Sequence, residues 1–489
     1  MRMLMELRPA MEGFAGIPQE TRLLFTYLQD PEQRILAVDG LLNSFHIPYR
    51  PRRREQPLAQ TFEQARYILS ISERPSFDKR LDRYVYYLVL LRRFAGLAAG
   101  SISGSKSDLL PLDGRAFYDF IWQKLFAKTV SLDSFSELAG RRYFMNALGW
   151  YEMHRSGILW GVYPRVNTDQ WDFALMQTPY PGNVSENTKL IIRYHDAIPL
   201  YMPQHISDAK RHMSVHYHAL QFNSKRAWFV CTSAPVREDL LRLIPKAERR
   251  VTVIPDIISD AYKPDPPTPG QIKEFCRRYV AHETEPHFLT RKEEEAFYAN
   301  LKNFVYIMAV ATIEPRKNYG RLISAWEDVY EHSSGRVRLI IVGEMGWNWD
   351  REREHQRMKK WTARGALFHL ARVPLSALRK LYSGALVVVC PSVSEGFDFS
   401  GIEAMRCGTP VLASDIPTHR AVYADAADYF SPYSVSELTQ LLLRVLAETW
   451  DERTADLVKK GHELANRYTK EAVVPQWYEF IRSLPRSKK

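Results

Sequence analysis

Between Phe304 and Ser414 one pattern recurs: an apolar run, a turn, a stretch with helical spacing, then another apolar run. The runs are "FVYIMAVAT" (Phe304–Thr312), "VRLIIVG" (Val337–Gly343), "LFHL" (Leu367–Leu370), "ALVVVC" (Ala385–Cys390) and "PVLAS" (Pro410–Ser414). They are too continuously apolar for a sheet with one wet face. Strands buried on both sides need helices on both sides, which predicts an α/β fold with a parallel sheet. "KLIIRY" (Lys189–Tyr194), "WFVCTS" (Trp228–Ser233) and "VTVIP" (Val251–Pro255) repeat the pattern earlier in the chain.

The expected organisation is an N-terminal α/β domain over 1–262, with an insertion over about 50–150. An interdomain segment over 263–303 follows, then a second α/β domain over 304–466 and a C-terminal helix with a basic tail over 467–489. At 489 residues there is chain enough for two cores. With 45% hydrophobic and 25% charged residues, disorder is excluded as a general description. The net charge of +11 fits an anionic partner or a generally basic surface. Basic patches interleaved with aromatics are not visible, so no nucleic-acid partner is expected.

The four cysteines, Cys231, Cys276, Cys390 and Cys407, form no C-x-x-C pair, which points away from a disulfide scaffold or zinc site. Glu6, Arg8 and Pro9 interrupt any signal-peptide core, so a cytoplasmic protein is expected. The stretch Phe77–Gly96 combines the apolar run "YVYYLVLL" with flanking arginines. It reads first as a helix packed in the N-terminal domain and second as a peripheral contact at the inner face of a membrane.

Open parallel sheets bind ligands beyond the carboxyl ends of their strands. After Thr312 comes Glu314-Pro315-Arg316-Lys317-Asn318, with two cations where a helix begins and Asn318 as its expected cap. This suits a phosphate, and a solvated basic turn is the plainer alternative. After Cys390 comes "PSVSEGFDFSGIEAMRCGTPVLASD", with Glu395 and Glu403 eight residues apart. Gly396, Ser400 and Gly401 favour a loop to about Ser400, then a helix with Glu403 one turn inside. Two carboxylates there could accept hydrogen bonds from sugar or ribose hydroxyls, or serve as one cap and one surface acid. His195 stands at another strand exit, as an acid/base or hydrogen-bond group or as a buried structural histidine. Gly13, Gly16 and Pro18 mark a turn before a helix.

Together these stretches resemble the retaining GT-B glycosyltransferases of family 4, whose signature is a glutamate, seven residues and a second glutamate. "ATIEPRKN", "RYHDAIPL", "VTVIPD" and "GFAGIPQETRLL" resemble further motifs of that family, and the "EPRKN" variant resembles its bacterial polysaccharide-assembly mannosyltransferases. The likeness covers about 304–430 and 189–258 and is absent over about 50–150.

The resemblance implies a GT-B fold, two Rossmann-like domains facing across a cleft. It implies transfer of a sugar from a nucleotide-sugar, with GDP-mannose as first candidate, to a carbohydrate or lipid-linked acceptor in polysaccharide or lipopolysaccharide assembly. Arg316 and Lys317 would bind the donor diphosphate, and Glu403 the ribose. Glu395 and the backbone of Gly396, Phe397, Asp398 and Phe399 would hold the transferred sugar. Gly16 would bring amides near the diphosphate, and His195 would lie beside the anomeric carbon. No Asp-x-Asp pair occurs, so neither metal nor other cofactor is expected. The chain departs from the family at Asp398, where glycine is usual, and at Ser400, near the usual proline. It also departs at Pro18-Gln19, which replace glycine-arginine, and at Thr312, where many members carry arginine. An epimerase or hydrolase of nucleotide-sugars, or a non-catalytic scaffold, are the alternatives on the same fold.

Overall fold

A computed structural model describes residues 1–14, 16–29, 35–43, 52–72, 80–301, 304–346, 353–447 and 451–485. The first half contains strands β1 (Arg2–Glu6), β2 (Ala37–Leu42), β3 (Lys106–Ser107), β4 (Leu109–Leu112) and β5 (Tyr143–Asn146). It continues with β6 (Arg165–Val166), β7 (Phe173–Met176), β8 (Lys189–Tyr194), β9 (Trp228–Cys231) and β10 (Val251–Val253). The second half contains β11 (Val305–Val310), β12 (Val337–Val342), β13 (Leu367–Leu370), β14 (Val387–Cys390), β15 (Val411–Ser414) and β16 (Asp428–Phe430).

The second sheet runs β13-β12-β11-β14-β15-β16, and every neighbouring pair is parallel. Counted from β11 this is the order 3-2-1-4-5-6 of dinucleotide-binding folds, with the reversal between β11 and β14. Ile307 of β11 pairs with Leu339 on one side and Val387 on the other. All three side chains are at most 1% exposed, as continuous apolar strands require. The helix Tyr319–His332 lays Leu322, Ile323, Trp326 and Val329 on this sheet, the spacing of one helical face. Burying each such side chain contributes about 1.5–3 kcal/mol. Trp326 also donates its ring N–H to the Val337 carbonyl at 3.1 Å, so its polar edge is satisfied in the core.

The first sheet runs β10-β9-β8-β7-β1-β2-β5-β4, parallel except where β4 meets β5. Its order reverses at β1, between β7 and β2. Strands β3 and β6 form a separate two-stranded ribbon.

Two expectations change here. The region 50–150 is not simply an insertion, because β4 and β5 within it form one edge of the first sheet. The stretch 263–303 is not a bare connection. Its helices Gln271–Tyr279 and Arg291–Asn300 bury Cys276 and Tyr298 in the second core, and the Ala281 N–H donates to the His369 carbonyl at 2.8 Å. The helix Lys470–Ser483 returns to the first half, where Val473, Trp477 and Ile481 enter that core. The chain passes between cores from Ile257 to Ile258 and returns between Tyr468 and Val473. The two crossings touch, with the Ile258 N–H donating to the Tyr468 carbonyl at 2.8 Å. The four cysteines are buried free thiols. Phe77–Lys79 of the stretch Phe77–Gly96 and the last four residues of the basic tail lie outside the described residues.

Candidate functional site

The carboxyl ends of β8, β11 and β14 open onto one cavity of about 670 Å³ between the two sheets. Gly16, His195, Arg316, Lys317, Glu395, Gly396, Phe397, Asp398, Phe399 and Glu403 all line it. The size suits a ligand of nucleotide dimensions.

The cations come from the turn after β11. Pro315–Lys317 form a single 3-10 turn, and Asn318 follows at φ +59°, starting the helix Tyr319–His332. Asn318 stands at the cap position but does not cap. Its amide donates to the carbonyls of Pro391 and Pro432, at 2.9 and 2.8 Å. That staples the cation turn to the exits of β14 and β16. Arg316 and Lys317 then converge on Glu395, one on each carboxylate oxygen, at 2.6 Å each. Arg316 also bonds Glu314 at 2.6 Å and the Ser394 carbonyl at 2.6 Å.

Burial disfavours the charge on Arg316, but Glu395 and Glu314 outweigh it and hold the guanidinium above its usual range. Burial likewise pushes the Glu395 carboxyl up, and Arg316 and Lys317 pull it below its usual range. The result is a pair of cations held in place by two carboxylates, with Glu395 shared between them and Glu314 on Arg316 alone.

The loop after β14 ends at Asp398, and the helix runs Phe399–Arg406, two residues earlier than Gly401 suggested. Asp398 is its N-cap: the Ser400 N–H and hydroxyl donate to one oxygen at 3.1 and 2.7 Å. The other oxygen lies 3.2 Å from His419 Nε2. Burial opposes the charge, but His419, Lys317 and Ser400 hold this carboxyl well below the usual range. Asp398 therefore lines the cavity with both oxygens engaged inside the protein, as a cap rather than a free acceptor for a sugar hydroxyl. Phe397 and Phe399 turn their rings into the second core, 5.2 Å apart, so what they offer the cavity is backbone.

Glu403 sits in the second turn of that helix, 4% exposed. Gln19 donates to one of its oxygens and Tyr382 to the other, both at 2.9 Å, and Tyr262 bonds it as well. Burial pushes Glu403 up to about 7, against the hydrogen bonds of Gln19, Tyr382 and Tyr262 that hold it down. Ionised, it has about four acceptor sites, three of them met by Gln19, Tyr382 and Tyr262; protonated, it has one acceptor fewer. The affinity of a nucleoside diphosphate, measured by calorimetry, should therefore rise between about pH 5 and pH 7 more steeply in the native protein than in Glu403→Gln. The difference between the two proteins isolates Glu403 from the ligand's own ionisation.

The first half supplies the opposite wall. A Cβ on Gly396 would lie 1.9 Å from the His195 carbonyl oxygen, so only glycine allows this approach. The hydroxyls of Thr232 and Ser233 donate to the Gly396 carbonyl at 3.0 and 2.8 Å. Gly16, at φ +69°, begins the helix Ile17–Leu28 and so aims amides at the cavity. The His195 Nε2 has no hydrogen-bond partner among the described residues. Burial and the nearby Arg193 push this imidazole well below its usual range, opposed by a bond to the Gln177 backbone. His195 is thus neutral at pH 7, with a buried ring nitrogen left unpaired, and it is not a proton donor of the imidazolium kind.

Under this wall lies a buried ion cluster. Arg193 donates to Glu20 at 3.1 Å, to Asp256 at 2.5 Å and to the Ile254 carbonyl at 2.6 Å, and sits 5.5 Å from the Trp477 ring centre. Burial, with Asp256 beside it, pushes Glu20 up, and burial pushes Asp256 up too.

Several lining residues were not singled out from sequence: Asp196 and the group Arg8, Trp150 and His154; Gln19 reaches the site through its bond to Glu403. Arg8 lies over the Trp150 ring, 3.9 Å from its centre, and bonds Glu6 at 2.7 Å. Gln19 carried a signal, since it replaces a residue of the family loop. Trp150 and His154 carried none, being outside every matched motif.

Two Rossmann-like sheets with a ligand cavity between their carboxyl ends define the GT-B class, and this chain has that fold. The similarity of its structure to that of Anabaena Alr3699/HepE, solved in complex with UDP-glucose, spans 99% of this chain and 100% of that one at a TM-score of 0.54 and 14% identity. Residues 290–464 match the family described as "Glycosyl transferases group 1", so the second half carries a domain of that family. Among curated relatives, O-antigen chain mannosyltransferase B of Escherichia coli is 33% identical over 148 residues, 30% of this chain and 38% of that protein. Serotype-specific mannosyltransferase WbdA of Escherichia coli is 28% identical over 258 residues, 52% of this chain and 29% of that one. The matches therefore span less than half the length of these relatives.

Proposed function

We propose that this protein is a retaining glycosyltransferase. It moves a sugar from a nucleotide-sugar, with GDP-mannose as first candidate, to a carbohydrate or lipid-linked acceptor in surface polysaccharide or lipopolysaccharide assembly. The observation that carries this reading is the convergence of Arg316, Lys317 and Glu395 in the cleft, at 2.6 Å on each carboxylate oxygen. The likeness to O-antigen mannosyltransferases supports the donor and the pathway class.

The chemistry follows from the groups present. As the sugar–phosphate bond breaks, negative charge grows on the nucleoside diphosphate, and Arg316 and Lys317 stand where that charge collects. Glu403 fixes the ribose and Glu395 the sugar. The unpaired ring nitrogen of His195 accepts a sugar hydroxyl on the other wall. The acceptor hydroxyl attacks the face the diphosphate leaves. Contact of the two halves at Gly396 keeps water from competing. In this scheme the diphosphate competes with Glu395 and Glu314 for Arg316 and Lys317, and no metal is invoked.

A thermal-shift screen against nucleoside diphosphates and their sugars tests the reading, since a ligand stabilises the folded state it binds. A clear stabilisation by one nucleotide class is expected, and no stabilisation by any of them would sink the reading. Glu395→Ala separates the roles. It should cut turnover about 10- to 100-fold, the scale of losing one charged hydrogen bond. It should leave nucleoside diphosphate affinity equal or tighter, because Arg316 and Lys317 lose their competing carboxylate. Weaker nucleotide affinity in this variant would place Glu395 on the nucleotide instead.

A further inference from the structure

The helix Arg80–Ile102 packs on the helix Trp150–Trp160 along a narrow stripe: Leu90 is buried, Tyr86 is half-buried, and Arg93 reaches Glu152 at 3.7 Å. Its opposite side is the unusual one. Leu81, Tyr84, Val85, Leu88 and Leu91 are each more than half exposed, Leu88 by 67%. At 100° per residue, Leu81 and Leu88 lie opposite Leu90, with Tyr84 and Val85 on either side of them. A helix normally turns its apolar side to the core, and here an apolar side faces outward. The neighbouring helix ends on Leu159 and Trp160, also exposed.

Charge identifies the occupant. Over Arg80–Ile102 there are four arginines and one aspartate, the arginines paired at Arg80 with Arg83 and at Arg92 with Arg93. Arg92, Arg93, Lys106 and Arg165 line a hollow of about 410 Å³ beside the helix, where Glu152 is the one acid among the lining residues. Lys106 and Arg165 carry surface ion pairs to Asp169 and Glu186, a kind that exchanges for phosphate at little cost. Tyrosines, a tryptophan and arginines interspersed with the apolar groups match the mixed apolar and polar character of a lipid headgroup layer. No helix among the described residues is long and apolar enough to cross a membrane.

We infer that the outward side of Arg80–Ile102 lies in the interface of an anionic membrane, with lipid phosphates in the hollow formed by Arg92, Arg93, Lys106 and Arg165. The helix Trp150–Trp160 separates this surface from the cleft. Trp150, Tyr151 and His154 line the cleft, and Glu152 lines the hollow. One helix diameter, about 10 Å, thus stands between membrane-facing and cleft-facing groups. A lipid-linked acceptor held in that membrane would present its sugar at the cleft mouth; this last point alone rests on the transferase reading.

The test is co-sedimentation of the full chain with vesicles of phosphatidylglycerol and phosphatidylcholine, against vesicles of phosphatidylcholine alone, without nucleotide. The native protein should sediment with the anionic vesicles and be released by salt. The pair Arg80→Ala and Arg92→Ala should weaken this about thirtyfold, and Leu81→Glu with Leu88→Glu should abolish it. All of these positions are exposed, and an unchanged melting midpoint confirms that the variants fold. Three results would overturn the inference. They are no sedimentation of the native protein with anionic vesicles, undiminished sedimentation of the leucine variant, and self-association in ultracentrifugation that the leucine variant loses, which would make this face a contact between two copies. Because nucleotide binding is read separately, none of these touches the transferase reading, and its failure would leave the vesicle result standing.

Discussion

Replacing Lys317 with alanine should lower turnover by about 100- to 1,000-fold, the scale of removing one preorganised group that meets developing negative charge. Lys317 and Arg316 share Glu395 between them, one on each oxygen. Without Lys317, a single guanidinium must balance Glu395, Glu314 and the leaving diphosphate. The loss should fall on kcat more than on KM, because the charge grows as the bond breaks. Steady-state kinetics with the nucleotide-sugar chosen by the thermal-shift screen checks this. A Lys317→Ala protein within a factor of ten of native turnover would take Lys317 out of the transition state.

The second large effect is on stability. Arg193→Ala should destabilise the protein by about 3–5 kcal/mol, because it strands two buried acids that share one cation. Glu20, Asp256 and Arg193 are all at most 2% exposed, so water cannot take the place of the guanidinium. Burial already pushes both acids up. Losing Arg193 therefore favours their protonated forms, and the variant should recover part of its stability as the pH is lowered. Denaturant titration at two pH values reads both effects. A larger loss at the lower pH would contradict the assignment. Replacing all three residues with apolar groups of similar volume should restore much of the loss.

The second sheet was legible because parallel strands covered on both faces must be apolar throughout, and "VRLIIVG" and "ALVVVC" have no other soluble reading. The cleft residues were legible because the strand exits and the glutamate motif coincide. The edge strand β4 and its neighbour β5 were not. "LLPL" is four residues long and contains Pro111, which an edge strand tolerates but which argues against a strand when read alone. The segment 263–303 looked like a charged connector because its solvated residues outnumber the few, such as Cys276, Tyr298 and Leu301, that reach the core. Asn318 and Asp398 exchange expected parts for a local reason. Asn318 adopts a left-handed backbone and bonds two distant carbonyls, while Asp398 caps the helix that the glycine pattern seemed to begin later. The bond from Gln19 to Glu403 joins residues 384 positions apart, a distance no local pattern spans.

The two crossings between the halves, joined by the bond from Ile258 to Tyr468, have a mechanical consequence. One tether would let two bodies swing and twist freely. Two tethers lying side by side leave a single axle, the line along which they run. Any relative rotation of the halves is then restricted to that line, which limits the alignments of the reacting groups that the backbone allows. Severing the chain at either crossing should leave the halves attached yet free to twist, and catalysis should suffer more than ligand binding.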